Sequence, residues 1–559
     1  MHWEMPIGID NFGELRRGHY YFVDKTAFIR QLIDGHSKVT LLTRPRRFGK
    51  TLTLSMADWF FSIEKEAQSR HLFEGLAIEQ AGPEYMEHRG QYPVVFLSLK
   101  DLKNLTWDAM FDSFRTLIRN WYTAHAYLGE SDRFDSDVRT RFLALKRGQA
   151  GAGEMAGSLA LLLQMLHDYY GKKVILLLDE YDAPIQQAWE CGFYEECISF
   201  MKQLMGSALK GNDDLDFAIL TGVLRVAKES IFSDLNNLDV CSVLSSRYDD
   251  VIGFTPEEVT KMAADLQQES QLPDIKAWYD GYRFGHVEIY NPWSVIHFFR
   301  NQMVGDYWVN TSGNSLIREM LRHITPETVE NLTTLLYGES VTVLVREGVI
   351  YEDIGQDEDA LYTMLLTTGY LTVQGWTRGV GGLRCRLIIP NREIQDIYRI
   401  EILDRASAGL SVHRLDSLLS DLVEGHGTAF ADKLERYLCQ YASVYDTANK
   451  ESFYHGFLLG MTALVVSDYV VESNRESGYG RFDMALIPKE KQRAGVIMEF
   501  KVASQESELE KKAQEALQQI LKRQYAAEFQ KQGVPHLWLY GIAFCGKKVC
   551  VKTDIFSRK

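Results

Sequence analysis

A short apolar strand that runs directly into Gly49-Lys50-Thr51 constrains the fold of this chain more than any other feature. The stretch is KVTLLTRPRRFGKTLTLS, residues 38–55. It ends like the phosphate-binding loop G-x-x-x-x-G-K-[ST], but Arg44 stands where the first glycine is expected. In such a loop a strand delivers backbone N–H groups to phosphate oxygens, and the following helix adds its positive end. The loop alone fits a nucleotide site and a basic helix N-terminus equally well.

A second strand favours nucleotide binding. VILLLDEYD, residues 174–182, is nearly all apolar and contains Asp179 followed by Glu180. An aspartate at the carboxyl end of a buried strand can hold Mg²⁺, and the adjacent glutamate can polarise the attacking water. Two carboxylates at a solvated strand end are common, but both motifs in this order rarely occur by chance. Together they predict a P-loop ATPase that uses ATP and Mg²⁺.

Strand and helix patterns alternate from residue 38 to about 250, which predicts a parallel α/β sheet. The other strands of this region are expected at 92–100 and 216–223. From roughly 255 to 440 the pattern is mostly helical and opens with a capping box, Thr255 and Glu258. Residues 351–375 fit a small winged-helix-like module. From about 445 the pattern changes to a compact α/β unit.

Composition and charge exclude several classes of protein. The chain has 559 residues, of which 46% are apolar and 25% charged, as in globular proteins. Its net charge of −15 argues against a general nucleic-acid coat but leaves room for a local basic groove. The seven cysteines form no C-x-x-C pair, so a reducing compartment is expected. With no signal-like segment and no apolar run long enough for a bilayer, we expect a cytoplasmic protein without a membrane partner.

A second set of charged residues lies in the last part of the chain. Glu499 and Lys501 are two apart in the apolar stretch VIMEFKVA (496–503), and Asp483 opens the preceding strand pattern. Residues two apart on a strand share a face, and buried charges need a partner or a metal. The arrangement D…(D/E)-x-K suits metal-dependent cleavage of phosphodiesters, with Asp483 and Glu499 as Mg²⁺ ligands. The motif also occurs by chance, and a surface ion pair on an edge strand is the alternative.

Several longer stretches resemble the bacterial AAA-ATPase-like family. They are PIGIDNFGELRRGHYYFVDKTAFIRQLI (6–33), LLTRPRRFGKTLTLSM (41–56), LLLDEYDAPI (176–185), TGVLRVAKESIFSDLNNL (221–238) and WYDGYRFG (278–285). In that family the loop is usually written RPRRFGKT, so the missing glycine is a family trait. FYHGFLLGMTALVVSDYVVESNRESGYGRFDMALIP (453–488) is similar to the family's PD-(D/E)xK nuclease domain. The resemblance implies an AAA-like core fused to a nuclease-like domain.

We therefore expect four segments. These are an AAA-like P-loop ATPase core at 1–250, a helical lid at 251–335, a helical, winged-helix-like linker domain at 336–440 and a restriction-endonuclease-like α/β domain at 441–559.

In the ATPase core we predict nucleotide contacts, metal ligands and a base. Thr51 and Asp179 would hold Mg²⁺, and Glu180 would act as the base. Thr221 is a candidate γ-phosphate sensor, and Arg225 with Lys228 a candidate finger; a solvated basic turn explains these three equally well. Asp24 and Lys25 are family-like positions without an assigned mechanism. The predicted nucleotide contacts are Arg47, Phe48, Gly49, Lys50, Thr51, Leu52, Asp179, Thr221 and Arg225.

In the nuclease-like domain Lys501 would orient the attacking water or stabilise the charged phosphate. A further metal ligand is expected upstream; His455 is our choice, with Glu451 and Glu472 as alternatives. Gln519 and Tyr525 resemble the Q…Y element of one nuclease branch. The basic residues expected to meet the DNA backbone on the same helix are Lys511, Lys512, Lys522 and Arg523.

The predicted function is an ATP-controlled, Mg²⁺-dependent nuclease that acts on nucleic acid, with DNA as the first choice, and assembles as a homo-oligomer. Similar architectures suggest antiviral defence or mobile-element control. A nucleotide-switched sensor or scaffold that binds partners without cutting is the alternative. A helicase-like motor is the weaker third hypothesis, since no second motor domain is recognisable.

Overall fold

The computed structural model divides into two compact units, one of Met1–His323 with Thr342–Glu393 and one of Ile324–Val341 with Ile394–Lys559. The four predicted segment boundaries stay a prediction. The structure describes residues 3–225, 237–308, 326–336, 338–346, 348, 357–398, 412–441, 454–455, 458, 461–465, 468–473, 476–477, 480–490, 492–522, 529, 534 and 536–557.

The first unit contains a five-stranded sheet in which every neighbouring pair is parallel. The strand order is β2-β3-β4-β1-β5, so β1 and β3 flank β4. Every residue of β1 and β3 is buried, as expected for strands covered by helices on both faces. The predicted α/β sheet is confirmed. Its fifth strand, β5, was not predicted from the sequence. The strands are β1 (Val39–Thr43), β2 (Val94–Ser98), β3 (Val174–Asp179), β4 (Leu215–Gly222) and β5 (Leu238–Cys241).

Helices precede and connect these strands. The longest, at residues 107–124, begins at the N-cap Thr106, whose side chain accepts from the N–H of Ala109. The helices are α1 (Phe12–Arg17), α2 (Ala27–Gly35), α3 (Lys50–Phe61), α4 (Glu66–Ser69), α5 (Ala77–Ala81), α6 (Pro83–Met86), α7 (Trp107–Ala124), α8 (Ala126–Glu130), α9 (Ser136–Lys146), α10 (Ala152–Ala156), α11 (Ser158–Tyr170), α12 (Ala183–Cys191) and α13 (Tyr194–Leu209).

A helical region follows the sheet, as predicted. Its first helix, α14 (Pro256–Asp265), has the expected capping box, because Thr255 and Glu258 exchange side-chain and backbone hydrogen bonds. The helix α15 (Leu272–Tyr279) leads into a short hairpin, β6 (Tyr282–Phe284) and β7 (Val287–Ile289), and then into α16 (Pro292–Asn301). An aromatic and aliphatic core joins these helices to Tyr21 near the N-terminus.

A three-stranded sheet, in the order β8-β10-β9, lies further along the chain. A helix precedes its antiparallel hairpin, which agrees with the pattern seen in the sequence; the winged-helix comparison itself stays a prediction. The elements are α17 (Pro326–Leu336), β8 (Val341–Val345), α18 (Glu358–Thr368), β9 (Thr372–Gly379) and β10 (Gly382–Ile388).

The second unit is built on a mixed sheet of order β11-β14-β15-β16-β17, in which only the β15–β16 pair is parallel. The helix α21 packs on this sheet where β16 has Gly541, since a Cβ there would collide with the backbone of Ala513 and Leu517. The predicted restriction-endonuclease-like α/β fold is confirmed. Its elements are α19 (Val412–Val423), α20 (Gly427–Tyr441), β11 (Tyr469–Ser473), β12 (Glu476–Ser477), β13 (Gly480–Arg481), β14 (Met484–Pro488), β15 (Gly495–Val502), α21 (Leu509–Lys522), β16 (His536–Cys545) and β17 (Lys548–Ser557).

Two expectations about the whole chain can be compared with the fold. None of the seven cysteines, all of which lie in described segments, forms a disulfide. Within the described segments no helix combines the length and the apolar content that a membrane span requires.

Candidate functional sites

The phosphate-binding motif forms a turn between β1 and α3. Gly49 adopts φ +99°, a left-handed conformation that favours glycine, and Lys50 is the first residue of α3. Arg47 also has a positive φ, +67°, which side chains other than glycine rarely adopt. Two positive-φ residues in the turn direct the chain around the space at the start of the helix, where anions bind.

Arg44 occupies the position where the usual phosphate-binding loop has its first glycine, and it has a structural role there. Its side chain is fully buried and points into the protein. Its guanidinium donates to the carbonyl oxygens of Thr43, Cys241 and Tyr248, each at 2.8 Å. Burial lowers the pKa of Arg44 to about 10. This arginine therefore anchors the loop to the chain after β5, a role that the motif comparison did not suggest.

Lys50 lies inside the turn that it would use to bind phosphate. Its Nζ donates to the carbonyl oxygens of Arg44, at 3.0 Å, and of Pro45, at 2.9 Å. Burial lowers the pKa of its ammonium, while the carboxylates of Glu180 and Asp179 oppose that shift. The ammonium thus holds the loop closed with bonds that a phosphate oxygen could replace.

Asp179 connects three parts of the site. One carboxylate oxygen accepts from Thr51 Oγ1 at 2.7 Å, and the other accepts from Thr221 Oγ1 at 2.6 Å. Asp179 and Thr221 are buried at the carboxyl ends of neighbouring strands, β3 and β4. The structure therefore brings Thr51, Asp179 and Thr221 into one hydrogen-bonded chain.

Glu180 and Asp182 shape the chain just after β3. Glu180 has φ +50°, a strained backbone conformation of the kind that recurs at active sites. Asp182 is buried and accepts from the N–H groups of Val223, at 2.8 Å, and Leu224, at 2.9 Å. Burial raises the pKa of Asp182. Sequence reasoning missed this contact; the second aspartate of DEYD was its only signal.

A cavity of about 690 Å³ opens at the loop, which is within the range of small-molecule sites. Of the predicted nucleotide-site residues, Arg47 to Leu52 and Glu180 line it. Asp179 and Thr221 reach it through Thr51, whereas Arg225 is exposed and is not part of the lining. Lys228 lies outside the described residues. The apolar lining includes Ile9, Phe22, Met56, Phe254, Met262 and Ile296.

Later parts of the first unit hold the loop in place. Trp308 donates from Nε1 to the carbonyl oxygen of Arg46 at 2.9 Å, and its own N–H donates to Glu393 at 2.6 Å. The guanidinium of Arg47 lies 4.3 Å from the ring centroid of Trp293. Burial raises the pKa of Glu393 to about 7. These contacts come from residues more than 200 positions away, so no local motif could predict them.

Asp24 and Lys25 prove to be structural links. Asp24 accepts from the N–H groups of Thr26, at 2.9 Å, and Ala77, at 2.7 Å. Lys25 pairs with Glu258 at 2.7 Å and so reaches the capping box of α14. Lys25 also lines the cavity. Both residues join the N-terminal segment to neighbouring helices.

In the second unit, Glu499 and Lys501 lie on β15 as predicted. Glu499 is buried, and Lys501 Nζ lies 3.5 Å from its Oε1. In the β14–β15 ladder Met484 is opposite Met498, and extending this register places Asp483 opposite Glu499. Asp483 Oδ2 accepts from the N–H of Phe500 at 2.7 Å. The strands therefore bring Asp483, Glu499 and Lys501 together.

Gln519 joins this group from the helix α21, where its amide nitrogen contacts Glu499 Oε1. Lys511 and Lys522 lie on the same helix and line a shallow groove beside Gln519. Lys512 instead pairs with Glu515 at 2.8 Å. Tyr525 and Arg523 lie outside the described residues.

The three candidates for the upstream ligand have different positions. His455 Nε2 lies 3.0 Å from the backbone carbonyl oxygen of Asp483, so this ring nitrogen faces a backbone acceptor. Glu472 lies on β11 opposite Ala485. Because paired residues share a face of a sheet, its register places it on the face that carries Glu499. Glu451 lies outside the described residues, and the role of His455 as a ligand stays a prediction.

The donor sets can be compared with the metals that the motifs imply. Thr51 and Asp179 place hydroxyl and carboxylate oxygens side by side, a donor type that suits Mg²⁺. Asp483 and Glu499 supply carboxylate oxygens of the same type. Across the part of the chain that the structure describes, no three His, Cys, Asp or Glu side chains lie close enough together to hold a metal ion.

Comparison with known proteins identifies two segments of the chain. Residues 6–232 match the family model described as "Predicted AAA-ATPase", and residues 449–554 match "PD-(D/E)XK nuclease superfamily". A protein of Azotobacter chroococcum mcd 1, named "Uncharacterized protein in vnfD 5'region", is 28% identical over 557 residues, which cover 97% of this chain and 96% of that protein. The resemblance inferred from the motifs is confirmed at both ends of the chain.

Proposed function

Because the chain carries an AAA-ATPase-like domain and a PD-(D/E)XK nuclease superfamily domain, we propose that it binds and hydrolyses ATP to control the cleavage of nucleic acid. DNA is the proposed substrate. The observation that carries the proposal is the hydrogen-bonded chain Thr51–Asp179–Thr221 beneath a turn that ends in Gly49-Lys50.

In the nucleotide site, Lys50 exchanges its bonds to the loop carbonyls for bonds to the β- and γ-phosphates. Thr51 and Asp179 hold Mg²⁺, which when bound offsets the negative charge of the phosphates. Glu180 accepts a proton from the attacking water, and Thr221 orients the same water or the γ-phosphate. The apolar end of the cavity takes the base of the nucleotide.

In the nuclease centre, Asp483 and Glu499 hold a divalent cation, which when bound stabilises charge on the phosphate and acidifies a bound water. Lys501 orients that water or stabilises the negative charge that develops on the phosphate. Gln519 fixes the Glu499 carboxylate. His455 and the backbone of Asp483 hold each other in place.

Control of cleavage by nucleotide is proposed because an unrestrained cytoplasmic nuclease would damage its own genome. Such control requires ATP to bind two states of the protein with different affinity. We propose that the protein assembles as a homo-oligomer in which the exposed Arg225 reaches the nucleotide of a neighbouring copy. Antiviral defence or mobile-element control is the proposed biological role.

A nucleotide-switched sensor or scaffold is the second candidate. It is favoured by one observation, that both a lysine and an amide nitrogen face Oε1 of Glu499, where they compete with a metal ion. In that case the second unit binds nucleic acid or a protein without cutting.

The proposed function is tested by incubating the full chain with plasmid and single-stranded DNA plus Mg²⁺, with and without ATP. We expect ATP hydrolysis and metal-dependent cleavage whose rate depends on ATP. ATP hydrolysis with DNA binding but no cleavage of DNA or RNA under any nucleotide condition would support the scaffold instead.

A further inference from the structure

An acid-free segment in the first unit stands out from the rest of the chain. Residues 360–392 contain no Asp or Glu, although the whole chain has 76 of them among 559 residues. Three arginines of this segment, Arg378, Arg384 and Arg386, are exposed on the β9–β10 hairpin. In a protein of net charge −15 the hairpin is therefore a local basic surface.

The register of the hairpin aligns two of the arginines. Arg384 is opposite Thr377 and Arg386 is opposite Gly375, so both point to the same face. Residues two apart on a strand are about 7 Å apart. A DNA strand carries one phosphate per roughly 3.4 Å of helix axis, so both side chains can contact one strand at the same time. Arg378 lies near the end of β9, opposite Leu383, and so points to the other face beside the turn.

Within the described segments, none of these three arginines forms an ion pair with a carboxylate. Arg346, at the end of the adjacent strand, differs in this respect, because it pairs with Asp357 and Asp359 at 3.3 Å each. Guanidinium groups that pair with no carboxylate of the described segments remain available for phosphate oxygens, which they bind in a bidentate geometry.

Contacts with the preceding β6–β7 hairpin hold the β9–β10 hairpin in position. Arg283 of β6 donates from its N–H to Thr372 Oγ1 at 2.9 Å and from Nη1 to the Gln374 carbonyl at 3.1 Å. The ring of His286 stacks on Trp376, with centroids 5.8 Å apart. A surface held in this way loses little conformational entropy when it binds a partner.

We propose that the β9–β10 hairpin binds nucleic acid through its phosphate backbone. The inference rests on the proposed function in one respect, that nucleic acid is the substrate. An acidic peptide or a membrane surface fits less well, because the fully exposed Val380 at the turn is the only large apolar side chain exposed on the hairpin. Arg384 and Arg386, side by side on one face, suit the regularly spaced charges of a linear polyanion.

The test is fluorescence anisotropy with a labelled DNA duplex and a labelled single strand, with the full chain in EDTA so that no cleavage occurs. The test variant carries Arg378→Gln, Arg384→Gln and Arg386→Gln. The matched control carries Arg30→Gln, Arg70→Gln and Arg139→Gln, which remove the same charge from arginines that pair with carboxylates. We expect about tenfold or greater loss of affinity in the test variant only, and a salt slope smaller by about 2–3.

A third variant with lysine at positions 378, 384 and 386 should regain most of the affinity, because phosphate contacts need charge. ATP hydrolysis without nucleic acid and the thermal midpoint should match the parent in all three variants. Equal affinity of the test variant and the control for DNA, and likewise for RNA, would overturn the proposal. It would also be overturned if the test variant lost binding to vesicles that contain phosphatidylserine but kept its affinity for nucleic acid. Because binding is measured in EDTA, an inactive nuclease centre does not affect the result.

Discussion

Asp179 and Glu499 are buried carboxylates at the two candidate sites, yet their neighbours differ in chemistry. Both oxygens of Asp179 face hydroxyl groups, Thr51 at 2.7 Å and Thr221 at 2.6 Å. Glu499 Oε1 faces the amide nitrogen of Gln519 and the ammonium of Lys501, the latter at 3.5 Å. A hydroxyl can donate to a carboxylate or turn its lone pairs to a cation, whereas an ammonium has no acceptor.

The contrast indicates how ready each site is for a metal. At the nucleotide site, Thr51 has only to rotate its hydroxyl for Mg²⁺ to sit beside Asp179. At the nuclease centre, Lys501 or Gln519 must move before a cation can approach the oxygen that they share. The first site is therefore preorganised for a cation, whereas at the second a cation that binds Oε1 of Glu499 must displace Lys501 or Gln519.

The largest expected effect concerns the proposed base of the preorganised site. Glu180→Gln keeps the size of the side chain but cannot accept a proton, so ATP hydrolysis should fall roughly 10²–10⁴-fold while ATP still binds. Phosphate release and nucleotide-binding assays measure the two effects separately. Glu190→Gln, on the same cavity wall, is the control and should hydrolyse ATP at the parent rate. Unchanged hydrolysis by Glu180→Gln would remove this residue from the chemistry.

The corresponding change in the second site is Lys501→Ala. Loss of the ammonium should lower cleavage by roughly 10²–10³-fold, because it removes a charge directed at the reacting phosphate. ATP hydrolysis should stay within a factor of two of the parent. Lys548→Ala is the matched lysine control, since this residue is exposed and pairs with Glu435 at 2.7 Å. Parent-like cleavage by Lys501→Ala would favour the scaffold.

Arg44→Gly tests whether Arg44 stabilises the phosphate-binding loop, because it restores the glycine of the usual motif. It leaves three buried carbonyl oxygens without their donor, so we expect a loss of roughly 3–5 kcal/mol in unfolding free energy. Calorimetry of the first unfolding transition provides the measurement, with Arg46→Ala in the same loop as the control. Weaker ATP binding with unchanged stability would instead make Arg44 a phosphate ligand.

The smallest effect concerns pH. Burial raises the pKa of Glu393 to about 7, so the folded state holds this proton at pH values where the unfolded chain has released it. Its contribution to stability is therefore full below about pH 4.5 and is lost as pH rises through 7, by at most about 3 kcal/mol. Unfolding followed from pH 5 to 8 should show a flatter dependence in Glu393→Gln, while the exposed Glu269→Gln retains the parent slope.

The parts predicted well from sequence are those that a few adjacent residues encode. The parallel sheet followed from apolar runs such as 174–179, and the proximity of Thr51 and Asp179 followed from the two motifs that assign both residues to one Mg²⁺ ion. The capping box of α14 needed only Thr255 and Glu258. In the second unit, the spacing of Glu499 and Lys501 was enough to place both on one face.

The parts that sequence did not predict depend on distant residues or on side-chain direction. Arg44 looked like a deviation from a motif, and only its burial against the Cys241 and Tyr248 carbonyls explains it. The contact of Trp308 with the loop and its bond to Glu393 join positions far apart in the chain. For His455, the resemblance indicated a ligand, but it could not indicate that Nε2 faces the Asp483 carbonyl.

The claim that nucleotide state controls the nuclease centre is tested most directly by comparing DNA cleavage by the parent and by Lys50→Ala across a range of ATP concentrations. Lys50→Ala leaves Asp483, Glu499 and Lys501 in place but removes the ammonium that we propose binds the phosphates. The account predicts that cleavage by the parent changes roughly 5- to 150-fold with ATP, as a coupling of about 1–3 kcal/mol requires. Cleavage by Lys50→Ala should stay at its ATP-free rate. Equal cleavage by both proteins at every ATP concentration would contradict the account and leave two independent activities on one chain.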